Sequence, residues 1–399
     1  MATVVELGAI EGFILDDPVA GVLDNTVYTL GGVVFKDITN KVISLTTDRG
    51  KNRDLDRFSA GALTIALNND DRAFDPNYAS SPYAGAIVPR REVRVTVDGV
   101  RTITTTIDDW NYSYSPDGDS RAQIEATDEF TLLARQLLTA GIATPQLSGA
   151  RVTEVLDMET VAWPAAKRSI DTGVSTLGAD VFDGNALSYL QKVADSEQGL
   201  LFIGKNGDLI FRDRLDATPS STAVVDFADD GTGIPFTLTA VNYGSELLYN
   251  EAVVTSNAGT ATANNARSQT AYGVTSVELD TLVSTQAQLQ NLANFLVQKY
   301  GDPEYRFETI AVNLDTVGSS NKATCLGLEI GDVIKITFTP GVPKIGSAIV
   351  QYGQVIRISH DIESSRHDMF ISVASLDWTF LVLDDSVFGK LDSNNALAF

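Results

Sequence analysis

Carboxylates are the groups in this chain best placed to do chemistry. Adjacent pairs stand at Asp16-Asp17, Asp108-Asp109 and Asp229-Asp230, and a second kind of cluster, Asp70, Asp71 and Asp75, sits in a turn-rich stretch. Neighbours in sequence usually mark a solvated edge, and the turn lacks the Asp-x-Asp-x-Asp-Gly spacing of a calcium loop. The only thiol is Cys325, so a disulfide framework and a cysteine zinc site are both ruled out within one chain. The only imidazoles, His360 and His367, are too few for a histidine-rich metal site. No Gly-x-Ser-x-Gly elbow, His-Glu-x-x-His pair or phosphate loop occurs. The expectation is a protein with no catalytic residue, no cofactor and no bound metal.

A different kind of signal is repetition. The phrase Leu15-Asp16-Asp17-Pro-Val19-Ala-Gly21-Val-Leu23-Asp24 returns near the other end as Leu383-Asp384-Asp385-Ser-Val387-Phe388-Gly389-Lys-Leu391-Asp392. A catalytic site seldom needs two copies of a phrase, whereas an assembly protein can offer one tag to two equivalent grooves. In that reading Leu383, Val387, Phe388 and Leu391 enter a neighbour's groove and the aspartates face basic rims. Burying four such side chains contributes roughly 6–12 kcal/mol gross, much of it cancelled by ordering the tail.

The elements that carry these residues read mainly as β. Runs at 64–69 and 91–97 alternate apolar with polar, the period of a half-buried strand, and Asp98-Gly99 supplies a hairpin turn. Further alternating runs at 101–107 and 121–127 flank a turn at Ser115-Pro-Asp-Gly-Asp. Residues 129–215 change character: helical periods at 129–138, at 148–157 with Ser148 as its cap, and at 185–195 with Asn185 as its cap, then a hairpin turning on Asn206-Gly207. Residues 216–235 are rich in Ser, Thr, Asp, Gly and Pro and read as a linker, and the polar stretch 257–268 reads as a mobile loop. The period over 285–300 predicts a helix stopped by Gly301 and Pro303, and strands follow at 306–313, 332–338, 347–358 and 369–376. A second echo lies here. Val93-Arg-Val-Thr-Val matches Ile334-Lys-Ile-Thr-Phe in type at every position, and each is followed by two more strand-like runs. This pattern predicts a duplicated β-domain around an inserted α+β module.

Bulk numbers agree with a folded protein: 399 residues, 44% hydrophobic and 20% charged, enough for two to four domains with real cores. With 29 Lys+Arg against 52 Asp+Glu the net charge is −23, a surface that repels phosphate backbones. The start of the chain lacks the pattern of a signal peptide, and no run approaches the ~20 apolar residues of a membrane span, so a soluble chain made in a cytoplasm is expected.

Several stretches resemble the minor tail, or tail-hub, proteins of long non-contractile-tailed phages. They are Phe58-Ser-Ala-Gly-Ala-Leu-Thr-Ile-Ala-Leu-Asn-Asn-Asp-Asp-Arg-Ala-Phe-Asp-Pro-Asn-Tyr-Ala-Ser-Ser-Pro-Tyr, then Pro89-Arg-Arg-Glu-Val-Arg-Val, and the helix–hairpin from Ala186-Leu-Ser-Tyr-Leu to Gly207-Asp-Leu-Ile-Phe-Arg-Asp-Arg. The ending from Leu383 to Asn394 resembles a terminal phrase of such proteins from phages of actinobacteria. The resemblance spans most of the chain but not 216–235 or 257–284.

What the resemblance implies is an assembly. Two β-barrel hub domains per subunit, with inserted modules, associate as a homotrimer whose six similar barrels form a pseudo-sixfold ring between the tail tube and threefold tip proteins. The organisation expected is an N-terminal docking segment at 1–29, a first β-barrel or sandwich at 30–128, the α+β module at 129–215, the linker at 216–235, a second barrel at 236–378 and a docking tail at 379–399. Phe74 and Tyr83 would plug the barrel rim, held by turns at Asp75-Pro76 and Ser81-Pro82, with Asp70 or Asp71 bonding nearby backbone. Expected partners are further copies of the chain, distal tail and tube proteins, other minor tail proteins, and the tape-measure protein, with phage DNA only in transit. The place expected is the virion's tail tip. An adhesin for the host surface is the alternative, although Trp110, Trp163 and Trp378 are scattered, and a cell-wall hydrolase comes third.

Overall fold

The computed structural model describes residues 2–9, 33–116, 118–139, 141–214, 223–341 and 343–376, with Pro18 and Val22 besides. The first β region forms strands β1 (Thr3–Ala9), β2 (Val34–Asp37), β3 (Val42–Gly50), β4 (Ser59–Asn68), β5 (Glu92–Val97), β6 (Val100–Ser113) and β7 (Arg121–Thr127). Alternation decides their faces: Leu63, Ile65 and Leu67 of β4 are buried, as are Val93, Val95 and Val97 of β5. Asp98 and Gly99 take positive φ of 46° and 84°, the left-handed pair that a two-residue hairpin turn requires.

The module that follows holds α1 (Phe130–Leu133), β8 (Ile142–Ala143), β9 (Gln146–Leu147), α2 (Ser148–Asp157), β10 (Arg168–Ile170), β11 (Thr176–Leu177), β12 (Asp180–Val181), α3 (Ala186–Glu197), β13 (Leu200–Ile203) and β14 (Leu209–Arg212). Its own core joins Val152, Val155 and Leu156 of α2 to Leu190 and Val193 of α3 and to the β13–β14 hairpin. Asn185 caps α3 as expected, its side chain accepting from the Ser188 amide at 2.9 Å. Two expectations here are corrected. The helix at 129–138 is only one turn, because the chain after Ala134 leaves to pair with 184–186, where the Ala186 amide donates to Gln136 at 2.9 Å. Ser148 does not cap α2: its hydroxyl donates instead to the buried Glu197 at 2.6 Å.

The rest of the chain supplies β15 (Val225–Ala228), β16 (Leu238–Asn242), β17 (Glu251–Ser256), β18 (Gly259–Asn264), α4 (Ala266–Tyr272), β19 (Ser276–Asp280), α5 (Gln286–Tyr300), β20 (Arg306–Asn313), α6 (Ser319–Gly327), β21 (Val333–Phe338), β22 (Ile349–Glu363) and β23 (Arg366–Ser375). The stretch 257–268 is therefore a strand and the start of a helix rather than a mobile loop. Its small residues Ala261 and Ala263 are buried under Leu289, Leu292 and Leu296 of α5, a close approach that bulkier side chains would prevent. Val225–Ala228, inside the stretch read as a linker, pairs in parallel with β21.

The two β regions do not form separate closed barrels. One 13-stranded sheet runs β16-β20-β23-β22-β3-β4-β7-β6-β5-β1-β2, with β21 on β22 and β15 on β21. Among the described residues β16 and β2 stand at its ends and do not pair, so the ladder stays open. A single hydrophobic core follows it, from Val5 and Leu7 through Ile65 and Ile124 to Ile310, Ile358 and Ile371. Closure is replaced by a junction: β22 is long enough to pair β21 with Ile349–Gln354 and β3 with Arg357–Glu363 along the same edge, β23 occupying the other.

Within this sheet a five-strand unit occurs twice. The order β3-β4-β7-β6-β5 is matched by β16-β20-β23-β22-β21, antiparallel at every step. The ladder shifts at Ile107/Asp109 between β6 and β7, and again at Val355/Arg357 between β22 and β23. Aligning on these bulges sets Val93–Val97 upon Ile334–Phe338, the echo read from the sequence. It also sets Thr64-Ile-Ala-Leu-Asn68 of β4 upon Thr309-Ile-Ala-Val-Asn313 of β20, through their pairing to β7 and β23.

Candidate assembly interface

The terminal phrases, with Leu15, Asp16, Asp17, Val19, Leu23 and Asp24 at one end and Leu383, Asp384, Asp385, Val387, Phe388, Leu391 and Asp392 at the other, lie outside the described residues, as does Trp378. The turn after β4 is fully described. Each of its carboxylates is engaged. Asp70 accepts from the Ser120 amide at 2.7 Å and from Asn68 at 2.7 Å, bonds that hold its pKa below the usual carboxylate range. Lys41 reaches Asp71 at 2.6 Å and lowers it likewise. Asp75 takes Arg72 at 2.6 Å and the Asn77 amide at 2.8 Å. Pro76 is exposed beside it. Beneath, Asn69 is buried and accepts the Phe74 amide at 2.8 Å, which fixes the Phe74 ring inside the core. Among the described residues no group of three or more His, Cys, Asp or Glu is arranged to hold a metal.

Phe74 and Tyr83 stack at 4.9 Å between ring centroids, nearly parallel at 6°. The stack continues outward along β6: Phe74 to Trp110 at 5.9 Å, Trp110 to Tyr112 at 6.4 Å, Tyr112 to Tyr114 at 6.2 Å. Alternate residues of one strand point to one face, so Trp110 and Tyr112 form a row that Tyr114 extends beyond the strand. The row begins in the core and ends at Tyr114, 53% exposed. Sequence reading found Phe74 and Tyr83 but missed this continuation. Its signal was present in the i, i+2 spacing of Trp110, Tyr112 and Tyr114.

The internal junction is built differently. At the level where β22 meets β3, Ile358, His360 and Ile362 are all buried. Arg357 forks onto Asp48, Nε to Oδ1 and Nη2 to Oδ2 at 2.6 Å each, and also donates to Asn52. Gly50, at φ +132°, lets β22 pass: a Cβ there would lie 2.2 Å from the Ile356 carbonyl oxygen. His360 and His367 meet on neighbouring strands, Nδ1 to Nε2 at 2.9 Å. Burial pushes His367 down to about 4 and, joined by the His367 ring, holds His360 well below the ordinary imidazole value. Burial raises Asp128, at the end of β7, to about 7, although it accepts the Gly61 and Phe130 amides.

Buried charges elsewhere are answered by partners. Glu197, fully buried, accepts from Ser148, from the Ser175 amide at 2.7 Å and from Arg214 at 3.2 Å. Asp54 is held below the usual range despite its burial because Lys299 at 2.6 Å and Lys51 stand beside it, and Tyr300 donates to it at 2.7 Å. These two last groups line a cleft of about 230 Å³ with Arg57, Asp195 and Phe295. Among the described residues no helix is long and apolar enough to cross a membrane.

No protein-family model matches the sequence, and no curated protein matches it. The fold does have relatives among solved structures. The 43 kDa tail protein of prophage MuSo2 from Shewanella oneidensis superposes with a TM-score of 0.58 at 12% identity, covering 94% of this chain and 98% of that one. The tail protein from Neisseria meningitidis MC58 superposes with a TM-score of 0.54 at 11% identity, over 83% of this chain and 95% of that one. Over nearly its whole length the chain has the fold of these phage tail proteins.

Proposed function

We propose that this chain is a structural subunit of a phage virion, the hub at the tip of a long non-contractile tail, where it joins the tail tube to distal tip proteins as a homotrimer. One observation carries the reading beyond the shared fold: the five-strand unit is present twice in one chain, with its strands in the same order and its bulges in the same place. Two similar units per chain give a trimer six similar surfaces, the number needed to meet a hexameric tube while offering threefold symmetry to the tip. Closed rings are also how self-associating chains avoid open polymers. The units correspond to the first and second hub domains, at 30–128 and 236–378. The α+β module at 129–215 stands between them. Of the expected N-terminal docking segment at 1–29, Thr3–Ala9 is instead a strand of the sheet, paired with β5 and β2. The repeated phrases at 15–24 and 383–392, the latter within the tail at 379–399, serve as docking segments for neighbouring tail proteins. A net charge of −23 suits a channel through which the tape-measure protein and then DNA leave without adsorbing.

The test is native mass spectrometry of the purified chain with negative-stain class averages. A trimeric ring with an open centre and six similar lobes is the expected result, and a compact monomer that stays monomeric when mixed with its tail tube would refute it. A second reading, an adhesin, has one observation in its favour, the exposed end of the aromatic row at Tyr114. Host-wall polysaccharide binding lost on Tyr114→Ala would establish it.

A further inference from the structure

The two five-strand units differ in one respect. In the second unit, the distal half of the long strand is paired on both edges: Arg357–Glu363 of β22 has β23 on one side and β3, the first strand of the other unit, on its second side. In the first unit the long strand is β6. Its proximal half pairs β5 through Val100–Thr106, and its distal half pairs β7 through Thr106–Ser113. Among the described residues nothing pairs the edge of Asp109–Ser113 opposite β7. The strand equivalent to β3 is β16, and it too has one open edge, since among the described residues it pairs only β20. The described residues of one chain thus carry one completed junction and both halves of a second that they do not complete.

We propose that Asp109–Ser113 of β6 pairs antiparallel with Leu238–Asn242 of β16 from a second copy of this chain, repeating between subunits the β22–β3 junction inside each. This inference rests on the ring-forming reading above and names its contact. The register follows from the internal one. His360, Asp361 and Ser359 face Thr47, Thr46 and Asp48. Alignment on the bulges puts Tyr112, Ser113 and Asn111 at the first three positions and Val241, Ala240 and Asn242 at the others. Tyr112 therefore faces Val241, Ser113 faces Ala240 and Asn111 faces Asn242 of the neighbouring copy.

Three features of the chain fit this pairing. First, the row Ile358, His360, Ile362 is buried where its junction is complete, with Ile362 at 4% exposure. The matching row Trp110, Tyr112, Tyr114 ends at 53%, an aromatic surface still uncovered. Second, Arg357 bonds Asp48 diagonally across the internal junction, and the equivalent positions hold Asp109 and Asn242, an acceptor and an amide donor. Third, an open strand edge is a template for pairing with another chain, and proteins that leave one uncharged normally cover it. The sequence Leu238-Thr-Ala-Val-Asn242 carries no charge. A head-to-tail contact of this kind closes into a ring when its rotation permits.

The Lys51 amide donates to the Ile356 carbonyl at 3.0 Å, so alternate pairs along the internal ladder, Asp361 with Thr46 among them, are the closely approaching kind without mutual hydrogen bonds. Ser113 and Ala240 inherit that position, with Cβ atoms about 4.5–5.5 Å apart, near disulfide reach. The full-length double variant Ser113→Cys/Ala240→Cys is oxidised mildly beside Ser113→Cys/Thr262→Cys, whose second cysteine lies at an exposed position of β18. Cys325 is buried and is left in place. Native mass is read on the same samples. The expected result is covalent oligomers bearing a 113–240 disulfide by peptide mapping, at about tenfold or more over the control pair, the gain from holding two thiols together. A trimer that forms without the 113–240 link overturns this junction and leaves the hub reading intact. A chain that stays monomeric and unlinked even when mixed with its tail tube overturns both.

Discussion

Acid should weaken this fold through one pair of side chains, and the size of the effect follows from their burial. His360 and His367 are 5% and 0% exposed and share one hydrogen bond, and burial holds both below their ordinary value, His367 at about 4. The unfolded chain has imidazoles near 6.5 and takes up protons that the folded chain refuses. The stability contributed by the neutral pair is therefore full above about pH 6.5 and falls as the pH drops toward the folded values. From pH 7 to pH 5 each histidine costs about 2 kcal/mol, and the pair about 4 kcal/mol. Asp128 acts in the opposite sense: with its carboxyl raised to about 7, its contribution is full below the unfolded value near 4 and is lost as pH rises through 7. The assay must remove that and every other carboxylate. Urea unfolding of the wild type and of His360→Gln/His367→Gln at both pH values does so, because the difference between their pH 7-to-5 losses cancels all shared groups. A difference of about 4 kcal/mol is expected, and one under about 1 kcal/mol would refute the argument that the buried pair stays neutral.

Three further outcomes follow from the same geometry. Gly50→Ala should destabilise by about 3 kcal/mol in thermal or urea unfolding, since its Cβ would meet β22 backbone at 2.2 Å and 2.5 Å, whereas Gly85→Ala, with positive φ but open space, should cost only about 1 kcal/mol. Glu197→Gln should cost about 3 kcal/mol or more in urea unfolding, because it takes the negative charge from beside buried Arg214, and Asp157→Asn on the surface should be nearly neutral. Leu383→Asp with Leu391→Asp should abolish incorporation into tail tips while leaving the unfolding midpoint unchanged; tips that assemble normally would sink the docking role of the terminal phrase.

Much of the local structure was legible because it rests on near neighbours. Alternation placed β4, β5, β7, β20 and β21, and α5 was found from its apolar period with Gly301 at its end. Where local reading erred, a distant partner had intervened. Ser148 looks like a cap by position, but Glu197 draws its hydroxyl away. The polar run 257–268 lacks large apolar residues, yet alanines suffice when a helix lies directly over them. A further repeat, Thr64–Asn68 with Thr309–Asn313, was in plain view and went unread because two short alternating runs look generic until their pairing is known.

The sequence alone therefore determined the strand faces, the α+β insert and the existence of a duplicated β unit, since periodicity and turn chemistry are properties of adjacent residues. Only the tertiary structure decided how the two units meet. Ladder pairing between Ser44 and Glu363 depends on edges left open by every other strand, and no local pattern records which edge is free. That is why two separate barrel or sandwich domains were expected and one open sheet, joined through β22 and β3, was found.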